Sequence, residues 1–180
     1  MLSSLPWIAL AAVLAWASFS DVRNRRIPNA AIVCGWTAAL LLNGLLPDGI
    51  GLASSVLGLL AGLIALMPLY MLRLLGAGDV KLVSVVGAFF GPLHLLGAVL
   101  LAFVAGGLLS LAMAWHHRTF HVLWGNLKAM LFFGQMRVST GLPGEVPGAL
   151  PASAGRMPYA VAIAVGALAQ GLVLHLGSRA

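Results

Sequence analysis

Acid is what this 180-residue chain has least of: Asp21, Asp48, Asp79 and Glu145 are its four carboxylates. With ten basic residues added, charged side chains reach only 8%, against about 25% in an ordinary soluble domain. Hydrophobic residues make up 61%, and a soluble fold of this size cannot hide so much apolar side chain from water. The scarcity of charge therefore excludes a cytosolic globular domain and a disordered chain alike. There is one cysteine, Cys34, inside an apolar run, which excludes an internal disulfide and a thiolate zinc site. Neither GxSxG nor HExxH occurs, so the common serine-hydrolase and zinc-peptidase patterns are missing as well. The net charge of +6 forms no patch, because the basic residues are spread thinly between apolar runs. No nucleic-acid partner is expected; basic residues in short loops record membrane orientation instead.

What the chain does have is apolar runs of membrane-spanning length, about 20 residues each. They predict an all-α polytopic membrane protein, a single domain over residues 1–180 with the lipid bilayer as its solvent. Six transmembrane helices are expected, at about 3–20, 30–46, 52–72, 79–96, 97–115 and 157–176. The first run has no basic segment before it, since the first basic residue is Arg23, so it does not read as a signal peptide. Val80–Trp115 admits two readings, one long kinked helix or a hairpin turning near Gly91-Pro92. The hairpin puts Arg23, Arg25, Arg26, Arg73, Lys81, Arg118, Lys128, Arg137 and Arg156 in the cytoplasm and leaves Arg179 outside. A single helix would carry Arg118, Lys128, Arg137 and Arg156 across, against the positive-inside rule. The hairpin is adopted, with a short fourth helix and both termini extracytoplasmic.

Residues 116–156 form the one substantial cytoplasmic segment. Leu123, Leu127, Met130 and Leu131 recur at helical spacing and predict a helix lying in the interface. Pro143, Pro147 and Pro151 among glycines then predict an irregular loop at 141–155. Gly58-xxx-Gly62 and Gly87-xxx-Gly91 offer close helix contacts. Asn43 suits an interhelical hydrogen bond. Trp7, Trp16, Trp36, Trp115 and Trp124 suit aromatic belts. His116, His117 and His121 cluster without a nearby carboxylate, which predicts an interfacial basic patch and no metal site. His94 and His175 read as boundary residues.

Of the four acids, Asp48 falls in an outer Pro-Asp-Gly turn and Glu145 in the cytoplasmic loop. Asp21 and Asp79 alone share the cytoplasmic membrane edge. A carboxylate there needs a partner or water. Two readings stand. In the structural one, Asp79 caps the helix it opens and Asp21 pairs with the arginines beside it. In the catalytic one, the two converge on a water: one carboxylate removes its proton while the other, protonated, polarises a peptide carbonyl and then protonates the leaving amine. That is aspartic-protease chemistry, and it needs no metal or cofactor. Gly76 and Gly78 would let the backbone bend and a substrate approach. Pro28-Asn29 would start the second helix and fix how Asp21 is presented. Lys81 and the arginines would snorkel to lipid phosphates.

Asp21 is followed by Arg-Asn-Arg-Arg-Ile-Pro-Asn after one residue, and Asp79 sits in Gly76-Ala-Gly-Asp-Val-Lys-Leu82. With Gly155-Arg-Met-Pro-Tyr-Ala160 opening the last helix, the sequence resembles the type IV prepilin leader peptidases, the GxGD aspartic proteases of the membrane. The resemblance implies that Asp21 and Asp79 are the catalytic pair, supported by Arg26, Pro28, Asn29, Gly76, Gly78, Lys81, Arg156 and Pro158. It implies prepilin and pseudopilin substrates, each with a short basic cytoplasmic leader, a cleavage point commonly after glycine, and then a hydrophobic helix. It also implies the bacterial inner membrane, with the active site facing the cytoplasm. Larger members that also methylate the new N-terminus carry paired cysteines in an N-terminal extension. Here the first helix begins almost at Met1 and Cys34 is alone, so neither that zinc site nor methyltransferase activity is expected. The chain looks like the short branch serving Flp, or tight-adherence, pili. A non-catalytic membrane scaffold of a pilus or secretion assembly is the rival from another class.

Overall fold

The computed structural model describes residues 5–47, 49–72, 75–116 and 159–177. Five helices make up the described chain: α1 (Leu5–Asn24), α2 (Asn29–Leu45), α3 (Leu52–Met71), α4 (Ala77–His116) and α5 (Tyr159–Gly177). No strand occurs among these residues. α1, α3, α4 and α5 are each long and apolar enough to cross a membrane, and α2 is a shorter apolar helix. Large apolar side chains face outward, among them Phe19, Leu45, Ile64 and Leu93, as they must where the solvent is lipid. The chain divides into two compact units, residues 1–106 with 158–180, and residues 107–157. Of the second unit the described part is the end of α4. The expected interfacial helix, the loop at 141–155, Glu145, His117 and His121 lie outside the described residues, as do Asp48 and Arg73.

Two expected boundaries move. α1 does not stop at residue 20: it continues to Asn24, so Asp21 lies inside the helix. The apolar run ends there because lipid ends, whereas the helix ends at Arg25, whose φ of 54° is left-handed. The Arg25 amide still donates to the Asp21 carbonyl at 2.8 Å, a helix-closing bond of the C-terminal type. The second change is in α4, which breaks at Gly91 (φ 75°, ψ 172°): the turn falls where Gly91-Pro92 was expected to make it, and the helix bounds at 96 and 97 move back to it.

The break reverses the chain. The Leu95 side chain comes back to within 3.2 Å of where a Cβ on Gly87 would stand. Gly97 then lies under Gln170, Ala102 against Gly166, and Gly106 against Ala162 and Tyr159. The second arm of α4 therefore runs antiparallel to α5. The first arm, residues 77–90, is only roughly 20 Å long at 1.5 Å per residue, short of a ~30 Å hydrocarbon core. It need not match that thickness, because residues 82–91 are buried on every face. A helix that is apolar all round belongs in the interior. Here Trp7 of α1 meets its Phe90 ring at 5.5 Å, while Gly35 of α2 admits Val85 and Gly58 and Gly62 of α3 admit Gly87 and Ser84.

The α3–α4 crossing is backbone against backbone. A Cβ on Gly58 would strike the Gly87 carbonyl, and one on Gly87 would strike the Gly58 carbonyl. The two GxxxG matches thus pack on each other, the close approach that small residues permit between helices in lipid.

The turn at Gly91-Pro92 leaves the Ala88 carbonyl without its helical donor, since Pro92 has no N–H. Asn43 of α2 and Ser55 of α3 replace it, donating to that oxygen at 3.0 and 2.7 Å. Asn43 therefore makes the interhelical bond its position suggests. Either donor alone satisfies the carbonyl, so Asn43→Ala and Ser55→Ala should each cost about 1 kcal/mol or less. The double variant orphans a buried acceptor and should cost roughly 2–3 kcal/mol, more than the sum. Thermal unfolding of the four proteins in detergent reads this coupling; additive losses would refute it.

Two tryptophans make contacts inside the bundle. The Trp36 indole turns inward and donates to Ser84 Oγ at 3.0 Å. Trp7 packs on Phe90 and against Gly171. Trp36 is half-buried, with a partner for its indole N–H, whereas Trp7 stays partly exposed at the edge of the bundle.

Candidate active site

Asp21 faces inward from the last turn of α1, 8% exposed. Its neighbours on the inner face, Leu10, Leu14 and Ala17, are buried at helical spacing, so the apolar stripe of α1 carries the carboxylate to the interior. The acid does not pair with Arg23, Arg25 or Arg26, which are all exposed. Its Oδ2 instead accepts the Ala160 amide of α5 at 3.2 Å. That amide belongs to the first turn of a helix, where N–H groups lack intrahelical acceptors and the dipole favours negative charge. The structural reading of Asp21 is corrected in its partner: a distant helix start replaces the adjacent arginines.

Asp79 opens α4. Its own amide donates to the Gly76 carbonyl at 3.1 Å, while its Oδ2 accepts the Gly76 amide at 3.0 Å. These reciprocal bonds are a capping arrangement, with the third helical residue reaching back to the residue before the helix. Gly76 fits because a Cβ there would lie 3.2 Å from Asp79 Oδ2. At Gly78 a Cβ would lie 3.2 Å from the Ile27 side chain, so this glycine brings the loop after Asp21 close to the start of α4.

The loop after Asp21 meets the start of α4 through Ile27 against Gly78 and Asn29 against Lys81, which puts the two aspartates at the same end of the bundle. Each is held through Oδ2 by one backbone N–H. Among the described residues, Oδ1 of each accepts no hydrogen bond. Among the described residues, one oxygen of each carboxylate is thus anchored on a backbone amide.

Pro28 and Asn29 do start α2, with Pro28 extended at φ −66°, ψ 133°. The N-cap position is Pro28, without a side-chain cap bond, and Asn29 Oδ1 accepts from Lys81 Nζ at 3.1 Å. The Lys81 ammonium thereby ties the second motif to the first. Ser20 Oγ donates to the Arg26 carbonyl at 3.0 Å and closes the loop between them. Arg26 itself is exposed, and Arg156 and Pro158 lie outside the described residues. Sequence reasoning missed two groups, the Ala160 amide and Ser18, whose Oγ donates to the Ala160 carbonyl at 3.2 Å. A proline just before a helix start signals unsatisfied N–H groups seeking an acceptor, but not which acceptor.

Fold and site together define a helical membrane protein with two backbone-anchored carboxylates brought to one end of the bundle by α1, α4 and α5. Residues 8–111 match the model of the type IV leader peptidase family. That is more than half of the chain, and the protein belongs to this family of peptidases. No curated protein and no solved structure matches it.

Proposed function

We propose that this protein is an aspartic endopeptidase that removes the basic leader from prepilins and pseudopilins, of the Flp type in particular. It would act at the cytoplasmic edge of the bacterial inner membrane as one peptidase domain with no metal or cofactor. The observation that carries the reading is the matched pair of half-anchored carboxylates. With Oδ2 of each fixed on a backbone N–H, Oδ1 of one can take a proton from water. Oδ1 of the other, protonated, can polarise the scissile carbonyl and protonate the leaving amine. Proton balance holds: water gives one proton to the base, the amine takes one from the acid, and the roles exchange.

Six membrane crossings, with both termini outside, follow if each arm of α4 counts as one. The exposed Arg23, Arg25 and Arg26 beside Asp21 support a cytoplasmic site, since basic loops stay on that side. A leader peptide bond just before a hydrophobic helix would meet the aspartates at that depth.

One observation favours the scaffold reading: both carboxylates satisfy helix-terminal amides and so have a structural use without catalysis. The experiment separating the two is cleavage by purified protein in detergent of a peptide with a basic leader, a glycine and a hydrophobic helix. A leaderless product, absent with the Asp79→Asn variant, supports the peptidase. Full-length peptide after incubation with folded wild-type protein would refute it.

A further inference from the structure

Among the described residues, the carboxylate of Asp21 has one hydrogen-bond partner, the Ala160 amide, so whatever orients that amide orients the acid. A carboxyl group turns easily about its last torsion, which is broad and two-fold. The amide fixes that rotation only if it is itself held. Ala160 is held from α1 on its other side, where Ser18 Oγ donates to its carbonyl at 3.2 Å. The amide and the carbonyl belong to successive peptide units, so the two bonds pin both planes flanking the Ala160 Cα. Ser18 and Asp21 are three residues apart on α1 and share a face. A serine in a helix ordinarily bonds back to its own preceding turn; Ser18 bonds across to α5 instead. Ala160 is fully buried, at 0% exposure, and has no side chain beyond Cβ to hold the two helices apart.

We propose that Ser18 is a positioning residue for the peptidase reaction: by holding the Ala160 carbonyl it aims the Ala160 amide, and through it the carboxylate of Asp21. The inference rests on the catalytic reading of Asp21. In this role Ser18 acts through the Ala160 amide and sets the angle of the Asp21 carboxylate. Misalignment of a catalytic group by about 1 Å can cost up to about 100-fold in rate. Loss of this one indirect support should therefore lower kcat roughly tenfold.

The test uses the full chain in detergent and the leader peptide, comparing wild type, Ser18→Ala, Ser18→Thr, Ser18→Cys and Asp21→Asn. Ser18→Ala should lose about tenfold in kcat with KM within twofold, since binding is untouched. Ser18→Thr keeps the hydroxyl and should recover most of the rate, with unfolding temperatures alike across the set. Should the alanine variant fail to fold, Ser18→Cys, with its weak donor, takes its place against Ser18→Thr. An inactive Asp21→Asn beside a Ser18→Ala of wild-type kcat overturns the positioning role and leaves the peptidase reading standing. Failure of threonine to rescue, or a rise in KM instead of a fall in kcat, also overturns it. An active Asp21→Asn overturns the catalytic reading itself, and this inference with it.

Discussion

Replacing Asp79 by asparagine is expected to leave a protein that inserts, folds and cleaves no leader, and Asp21→Asn is expected to do the same. The choice of asparagine is what makes the result decisive. Its amide oxygen can still accept the Gly76 amide at position 79, or the Ala160 amide at position 21, where the carboxylates accept them at 3.0 and 3.2 Å. The caps survive, so a purely structural carboxylate would be replaced at little cost. What asparagine cannot do is take a proton from water or hand one to an amine. General acid–base participation contributes typically 10²–10⁴-fold, so each variant should fall at least roughly 100-fold. Co-expression with a leader-bearing substrate, read as leader loss on a gel, measures the rate; thermal unfolding of the purified variants measures the fold. Cleavage at the wild-type rate by either variant would disprove the dyad. Loss of fold together with loss of cleavage would favour the scaffold.

The second large effect is expected far from the aspartates. Gly87→Val should unfold the bundle or cost at least about 3 kcal/mol, as should Gly58→Val. Overpacking commonly costs 1–3 kcal/mol where side chains can yield. Here the obstacle for each new Cβ is the carbonyl of the opposing glycine, and backbone cannot move aside without separating the helices. Separation would also draw the first arm of α4 away from Asn43 and Ser55, which satisfy the Ala88 carbonyl. Because Asp79 opens that arm, cleavage should fail with the fold. Gly107→Ala is the control. Nothing stands within 4 Å of a Cβ there, and alanine is the better helix former by about 1 kcal/mol. Melting temperatures in detergent check all three; a Gly87→Val protein as stable as wild type would contradict the crossing described.

The comparison of Gly87 with Gly107 shows how far the residues could be read unaided. Both glycines lie in α4, and their spacing to other glycines is all that the chain displays. GxxxG was visible twice, and so was the hairpin, because Gly-Pro interrupts an apolar run and the positive-inside rule forbids a single crossing. The pairing of one GxxxG with the other was not visible, since it depends on the register of two antiparallel helices. The end of α1 was misread because hydrophobicity reports contact with lipid, whereas a helix continues for as long as its backbone bonds close. The partner of Lys81 was not visible either, because only the fold puts Asn29 within 3.1 Å of it.

By itself the sequence determined the solvent, the secondary-structure class and the two acids. Charge that is scarce must be spent where burial can be afforded, and the four acids of this chain stand out against apolar runs that only lipid can surround. The tertiary structure decided what each acid holds. Asp79 takes the amide three residues before it, a bond written in local geometry. Asp21 takes an amide 139 residues away, because hydrogen bonds form between groups that share space, and α1 and α5 must pack before those two do.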